Sequence, residues 1–138
     1  MGELSRIGVA IDSDLLQKFD DLIAERGYTN RSEAFRDLIR NELVETQWEK
    51  PDSMVVGTVT LVYDHHVRLL NEKLTDLQHD FHANILSTLH VHLDHDHCLE
   101  VLVVRGKVSE VKRVAGALIS AKGVKHGRLT ITTSGAGL

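Results

Sequence analysis

Residues 85–104 read ILSTLHVHLDHDHCLEVLVV, two apolar runs separated by a polar turn. β-Branched and apolar residues dominate both runs, and the aspartates between them are turn formers, so the stretch reads as a hairpin. Residues two apart on a strand project from one face, so His90 and His92 point together, and the turn brings Cys98, at the start of the returning strand, back toward them. Imidazole nitrogen and thiolate sulfur form a donor set for a borderline or soft late transition metal, not for magnesium or calcium. Taken alone, Cys98 has an ordinary alternative role as a buried apolar residue. Asp94, His95, Asp96 and His97 read as the solvated turn itself, with a contact from one of them to the ligands as the alternative.

The flanking sequence completes a domain around this hairpin. Upstream, MVVGTVTLVY (residues 54–63) has strand composition, and HHVRLLNEKLTDLQHD (residues 65–80) then repeats Val67, Leu70, Leu74 and Leu77 at helical spacing. Downstream, Val111, Val114, Ala115, Leu118 and Ile119 give the apolar side of a helix over residues 109–122, and residues 127–133 supply a last strand. The order β-α-β-β-α-β predicts a ferredoxin-like domain over residues 54–135, with two helices on one sheet face and the other face left for an oligomeric interface or a site. His65, His66, His79 and His82 lie in or beside its first helix, and periodicity does not select which of them reaches the His90/His92 face.

Pattern and composition change near residues 48–53, where the sole proline, Pro51, sits. Before it, RIGVAI (residues 6–11) alternates as a short strand. Asp12 or Ser13 caps a helix beginning near Asp14, with Leu15, Leu16, Phe19, Leu22 and Ile23 as a broad buried stripe, and Gly27 stops it. Asn30 caps a second helix in a capping box with Glu33, and Ala34, Phe35, Leu38, Ile39 and Leu43 form its apolar side. One strand makes no sheet, so its backbone groups call for a copy from a second chain. Such a ribbon turns Arg6, Gly8 and Ala10 away from the helices, toward a nucleic-acid groove, while Arg31 and Arg36 can hold phosphate. The plainer reading of residues 1–49 is a dimerisation element alone. The fold class is therefore α+β, with this strand-helix-helix module ahead of the ferredoxin-like domain.

With 16 basic and 20 acidic residues the chain carries a formal charge of −4, which excludes a generally basic nucleic-acid coat and leaves DNA binding to local placement. A single cysteine excludes an internal disulfide framework and points to a reducing compartment. No signal-peptide pattern opens the sequence, and no segment approaches the roughly 18 apolar residues of a membrane span. The expectation is a cytoplasmic protein with no membrane partner. A metalloenzyme is disfavoured because HExxH is absent and no general base stands out; a small-molecule sensor with decorative surface histidines is the other alternative.

The segment GYTNRSEAFRDLIR, with the strand before it, resembles the ribbon-helix-helix repressors, and together with QHDFH and STLHVHLDHDHCLE it resembles the nickel-responsive regulator family over nearly the whole chain. That resemblance implies a non-enzymatic repressor of metal-uptake genes whose operator binding is promoted by nickel. It implies a square-planar nickel site made by His90, His92 and Cys98 of one subunit and His79 of a neighbour, with Glu100 beside the ligands. It implies a homotetramer of two ribbon-helix-helix dimers on double-stranded DNA, and a second cation between the domains on Glu33 and Asp37. Arg6, Gly8 and Ala10 match the family's base-facing positions, with Arg31 and Arg36 on the DNA backbone. The family commonly has hydroxyl-bearing residues where this chain has Gly8 and Ala10, so the operator sequence does not transfer.

Overall fold

Asp12 sets the start of the first helix: its carboxylate accepts a hydrogen bond from the Leu15 amide at 3.2 Å, one of the donors a helix N-terminus leaves without a partner. In the computed structural model, which describes residues 2–138, this helix is α1, Ser13–Glu25. It ends in a paired closure: the Gly27 amide donates to Ala24 O and the Tyr28 amide to Ile23 O, with Gly27 at φ 86°, where a side chain is strained. Asn30 Oδ1 then accepts from the Glu33 amide at 2.9 Å and starts α2, Arg31–Trp48. The Glu33 carboxylate accepts from the Thr29 hydroxyl at 3.3 Å, so a Thr29 contact stands where the capping box placed the Asn30 amide. Phe19 and Phe35 stack with centroids 5.1 Å apart and tie α1 to α2.

Two expectations for this module are corrected. Residues 6–11 form no strand, because a ladder needs a second strand and a single chain has none to pair with them. The expected buried stripe is also open: Ile23 and Ala34 are buried, but Leu15 is 60% exposed and Ile39 56%. Backbone contacts divide the chain after Glu42, so α2 begins in the first unit and Leu43–Trp48 counts with the second.

The second unit is a four-stranded antiparallel sheet in the order β2-β3-β1-β4 with two helices. Its elements are β1 Met54–Asp64, α3 Leu70–Asp80, β2 Ile85–His92, β3 His97–Lys107, α4 Val108–Ile119 and β4 Val124–Thr132. This is the ferredoxin-like order expected. Burial alternates strictly along β1 and β3, so Val55, Val59, Leu61, Tyr63, Leu102 and Val104 meet Leu70, Leu74, Val111, Val114 and Leu118 in the core, and Trp48 packs on it.

α3 starts five residues later than the periodicity indicates. The Asp64 carboxylate accepts from the His66 amide at 2.8 Å, and the His65 amide donates to Asp96 O, so residues 65–69 are held as a turn instead of a helix. No helix among the described residues is long and apolar enough to cross a membrane.

A Cβ on Gly57 would lie 2.6 Å from the Thr130 carbonyl oxygen across the β1–β4 pairing, whereas a Cβ on Gly116, exposed in α4, would meet nothing within 4 Å. Gly57→Ala is expected to destabilise the protein by about 1–3 kcal/mol in urea unfolding, and Gly116→Ala to stabilise it by about 0.5–1 kcal/mol.

Candidate metal centre

The hairpin turn is organised by one carboxylate. Asp94 Oδ1 accepts from the Asp96 and His97 amides, each at 2.8 Å, and the Leu93 amide donates to His97 O at 2.9 Å. These backbone bonds, with a further bond from the His97 ring, pull the Asp94 pKa down to about 2, so the turn is intact throughout the neutral range. The register that follows pairs His92 with Cys98 and His90 with Glu100. Residues directly opposite in an antiparallel ladder share a face, so all four side chains lie on the side that carries the helices. The opposite face, considered above for a site, instead presents the exposed Leu89 and Val91 of β2, with Leu93 exposed just beyond the strand, and carries none of these donors.

Cys98 has no exposed surface. Its Sγ is 3.5 Å from His92 Nδ1 and 3.5 Å from His65 Nδ1, and these three residues form a compact group of potential metal donors. His65 was one of four histidines the sequence left undecided. Only the β1–β3 register, which pairs Asp64 with His97, reveals that the residue after β1 reaches Cys98. His90 stands beside this group: its ring centroid is 5.1 Å from that of His92, and its Nδ1 is 3.4 Å from the Tyr63 hydroxyl and 3.9 Å from Glu100 Oε1. His79 lies in the last turn of α3, its ring 6.1 Å from that of His82, and belongs to neither donor group found among the described residues.

Glu100 is only 6% exposed, close to His90 but outside the thiol group. Its Oε1 accepts from Gln78 Nε2 at 3.3 Å, and Gln78 Oε1 accepts from the Thr88 hydroxyl at 3.2 Å, which links α3 to β2 and β3. Its Oε2 is buried without a hydrogen-bond partner among the described residues, a costly arrangement that a nearby cation would relieve. Burial, followed by the charges of Glu100, Asp64 and Asp94, pushes the Cys98 thiol above its ordinary pKa. Burial and then Glu100 do the same to Tyr63. The donors fit a soft or borderline metal ion, whose binding must displace the thiol proton.

In the first unit Arg6, Gly8 and Ala10 are exposed. Arg31 holds Asp20 through two 2.8 Å bonds from Nε and Nη2, and Arg36 Nε donates to Ser32 O. Asp37 accepts from the Tyr28 hydroxyl at 2.6 Å and approaches Arg40 at 3.6 Å, so both acids proposed for a second cation, Glu33 and Asp37, already have partners.

These features define a two-helix module followed by a ferredoxin-like domain with a histidine and cysteine centre. The family described as "Ribbon-helix-helix protein, copG family" matches residues 5–46, and "NikR C terminal nickel binding domain" matches residues 56–132. A protein of Solibacter usitatus described as "Putative nickel-responsive regulator" is 80% identical over 136 residues, covering 99% of this chain and 98% of that protein. A protein of Geobacter sulfurreducens with the same description is 64% identical, covering 98% of this chain and 97% of that protein. An uncharacterised protein of Thermotoga maritima shares the fold alone, with a TM-score of 0.51 at 16% identity over 56% of this chain and 96% of that one. The chain belongs to the nickel-responsive regulator family. That family consists of DNA-binding regulators, not enzymes.

A buried thiol with a raised pKa reacts slowly with thiol reagents. In the metal-free native protein at pH 7.5, Cys98 is expected to react with an aromatic disulfide at least about tenfold more slowly than in urea. Equal rates would show that the thiol is not shielded.

Proposed function

We propose that this chain is a nickel-responsive repressor of metal-uptake genes, in which nickel held by His90, His92 and Cys98, with His79 from a neighbouring subunit, strengthens operator binding. The observation that carries this reading is the buried Cys98 with His92 beside it, inside the segment matched by a nickel-binding family. Nickel bound to donors from two chains cross-links them, and such a link changes DNA affinity only if it favours the arrangement that fits the operator. Glu100 sits within reach of His90 to orient it, and Glu33 and Asp37 hold an additional cation.

The assembly is a cytoplasmic homotetramer of two dimers. Residues 1–49 form the DNA-binding and dimerisation domain, and residues 54–135 the metal-binding and oligomerisation domain. The exposed Ile7, Val9, Leu15, Phe35, Leu38 and Ile39 support the dimer, since burying one such side chain contributes roughly 1.5–3 kcal/mol. The exposed Leu89 and Val91 on the open sheet face, with Leu93 just beyond the strand, support the second interface. In the paired ribbon Arg6 reads a guanine edge or phosphate, Gly8 offers no side chain, and Ala10 makes apolar contact only. Arg36 and the Arg31 Nη1 left over from Asp20 serve the DNA backbone, so half-site spacing and DNA shape provide much of the discrimination.

The position of His65 favours a second reading of the ligand set, in which one chain supplies His65, His92 and Cys98. Nickel titrations separate the two. With donors from two subunits, Cys98→Ala and His79→Ala each weaken binding by about a hundredfold or more and His65→Ala has little effect; loss in His65→Ala with none in His79→Ala assigns the site to a single chain.

Nickel is expected to raise operator affinity of the wild-type protein by about tenfold or more, and Cys98→Ala to abolish that gain. Arg6→Ala should cost about 1–3 kcal/mol in the nickel-loaded state. Failure of the nickel-loaded wild type to bind any duplex would overturn the regulator reading.

A further inference from the structure

We propose that His66, His95 and Asp96 form a second, solvent-exposed site for a borderline divalent cation, next to the Cys98 centre but sharing no donor with it. Their ligand atoms all lie within 4.8 Å of one another, and His66 Nε2 is 3.4 Å from Asp96 Oδ1. The His66 and His95 rings face each other edge-on with centroids 5.6 Å apart. The donors come from two turns: His66 follows β1, and His95 and Asp96 cap the β2–β3 hairpin.

What distinguishes this group from three polar residues on a solvated surface is its backbone. The His65 amide donates to Asp96 O at 3.1 Å and joins the two turns directly. Asp64 fixes the His66 amide at 2.8 Å, and Asp94 fixes the Asp96 amide at 2.8 Å. Neither aspartate is a donor in the proposed site, so both are free to hold the turns. The main chain is thus pre-organised on both sides, while the half-exposed side chains retain the freedom to bring ligand atoms now within 4.8 Å of one another to about 2.0–2.2 Å from a common ion.

Two neutral imidazoles and a carboxylate select zinc, nickel, cobalt or copper over magnesium and calcium, and water fills the remaining positions. Lacking a thiolate and lying in solvent, this site binds more weakly than the buried one. An ion there would further clamp the turn from which Cys98 emerges to the end of β1.

Cobalt(II) distinguishes the sites because only coordination by Cys98 produces thiolate-to-metal charge-transfer absorption. Full-length wild type, titrated by equilibrium dialysis and absorption together, is expected to take up a further equivalent of cobalt after the thiolate band has saturated. His66→Ala/His95→Ala should bind one equivalent fewer per chain, or bind it at least tenfold more weakly, with the thiolate band unchanged. Cys98→Ala should lose the band and keep the equivalent that depends on His66 and His95, so failure of the buried site is read separately. The proposal is overturned if wild type and His66→Ala/His95→Ala take up the same number of ions with the same affinities, which is the outcome for an adventitious ion only.

Discussion

β1 and β3 pair without interruption from Met54 opposite Lys107 to Asp64 opposite His97, and the placement of the other parts of the C-terminal unit depends on that register. It sets Tyr63 opposite Cys98 at one end of the sheet, beside the turn that β2 must make to reach β3. A slip of one residue would turn Cys98 and Glu100 out of the helix-covered face and bring Leu99 and Val101 in. Gly57 permits the close approach of β4 on the other side of β1, so the central strand is held from both edges.

This arrangement places a thiol and a carboxylate where a core would ordinarily hold only apolar groups. Glu100 is tolerated because Gln78 donates to one oxygen and His90 lies near it, yet its other oxygen is left without a bond. The same burial raises the Cys98 thiol, so the metal-free centre holds a neutral sulfur beside a confined carboxylate. A cation entering there replaces a proton and approaches an unsatisfied acceptor, and both changes are electrostatically favourable. The turn outside is different in character: Asp64 and Asp94 are bonded to backbone amides, and His66, His95 and Asp96 are exposed.

The apolar residues that find no cover within one chain are as informative as those that do. Residues 6–11, the α1/α2 stripe and the outer face of β2 all leave apolar side chains exposed. Ile7 is 82% exposed, and apolar patches of this kind on a folded protein mark interaction surfaces.

Local chemistry determined much of what the sequence disclosed. Asp12, Gly27 and Asn30 act on residues three or four positions away, so the limits of α1 and the start of α2 were legible from their neighbours. Period-two and helical repeats yielded the β-α-β-β-α-β order, and spacing two apart put His90 and His92 on one face. The Asp64 and Asp94 turns were less legible, because an aspartate's choice between solvent and a backbone amide depends on where the chain goes next; that choice delayed α3 to Leu70. His65 was wholly a matter of tertiary structure. It is 33 residues from Cys98, and nothing local distinguishes it from His66, whose ring turns instead toward His95 and Asp96. Most of the elements and the donor types follow from interactions within a few residues and so were readable along the chain; which histidine meets the thiol was not, because strand register across the sheet sets that distance.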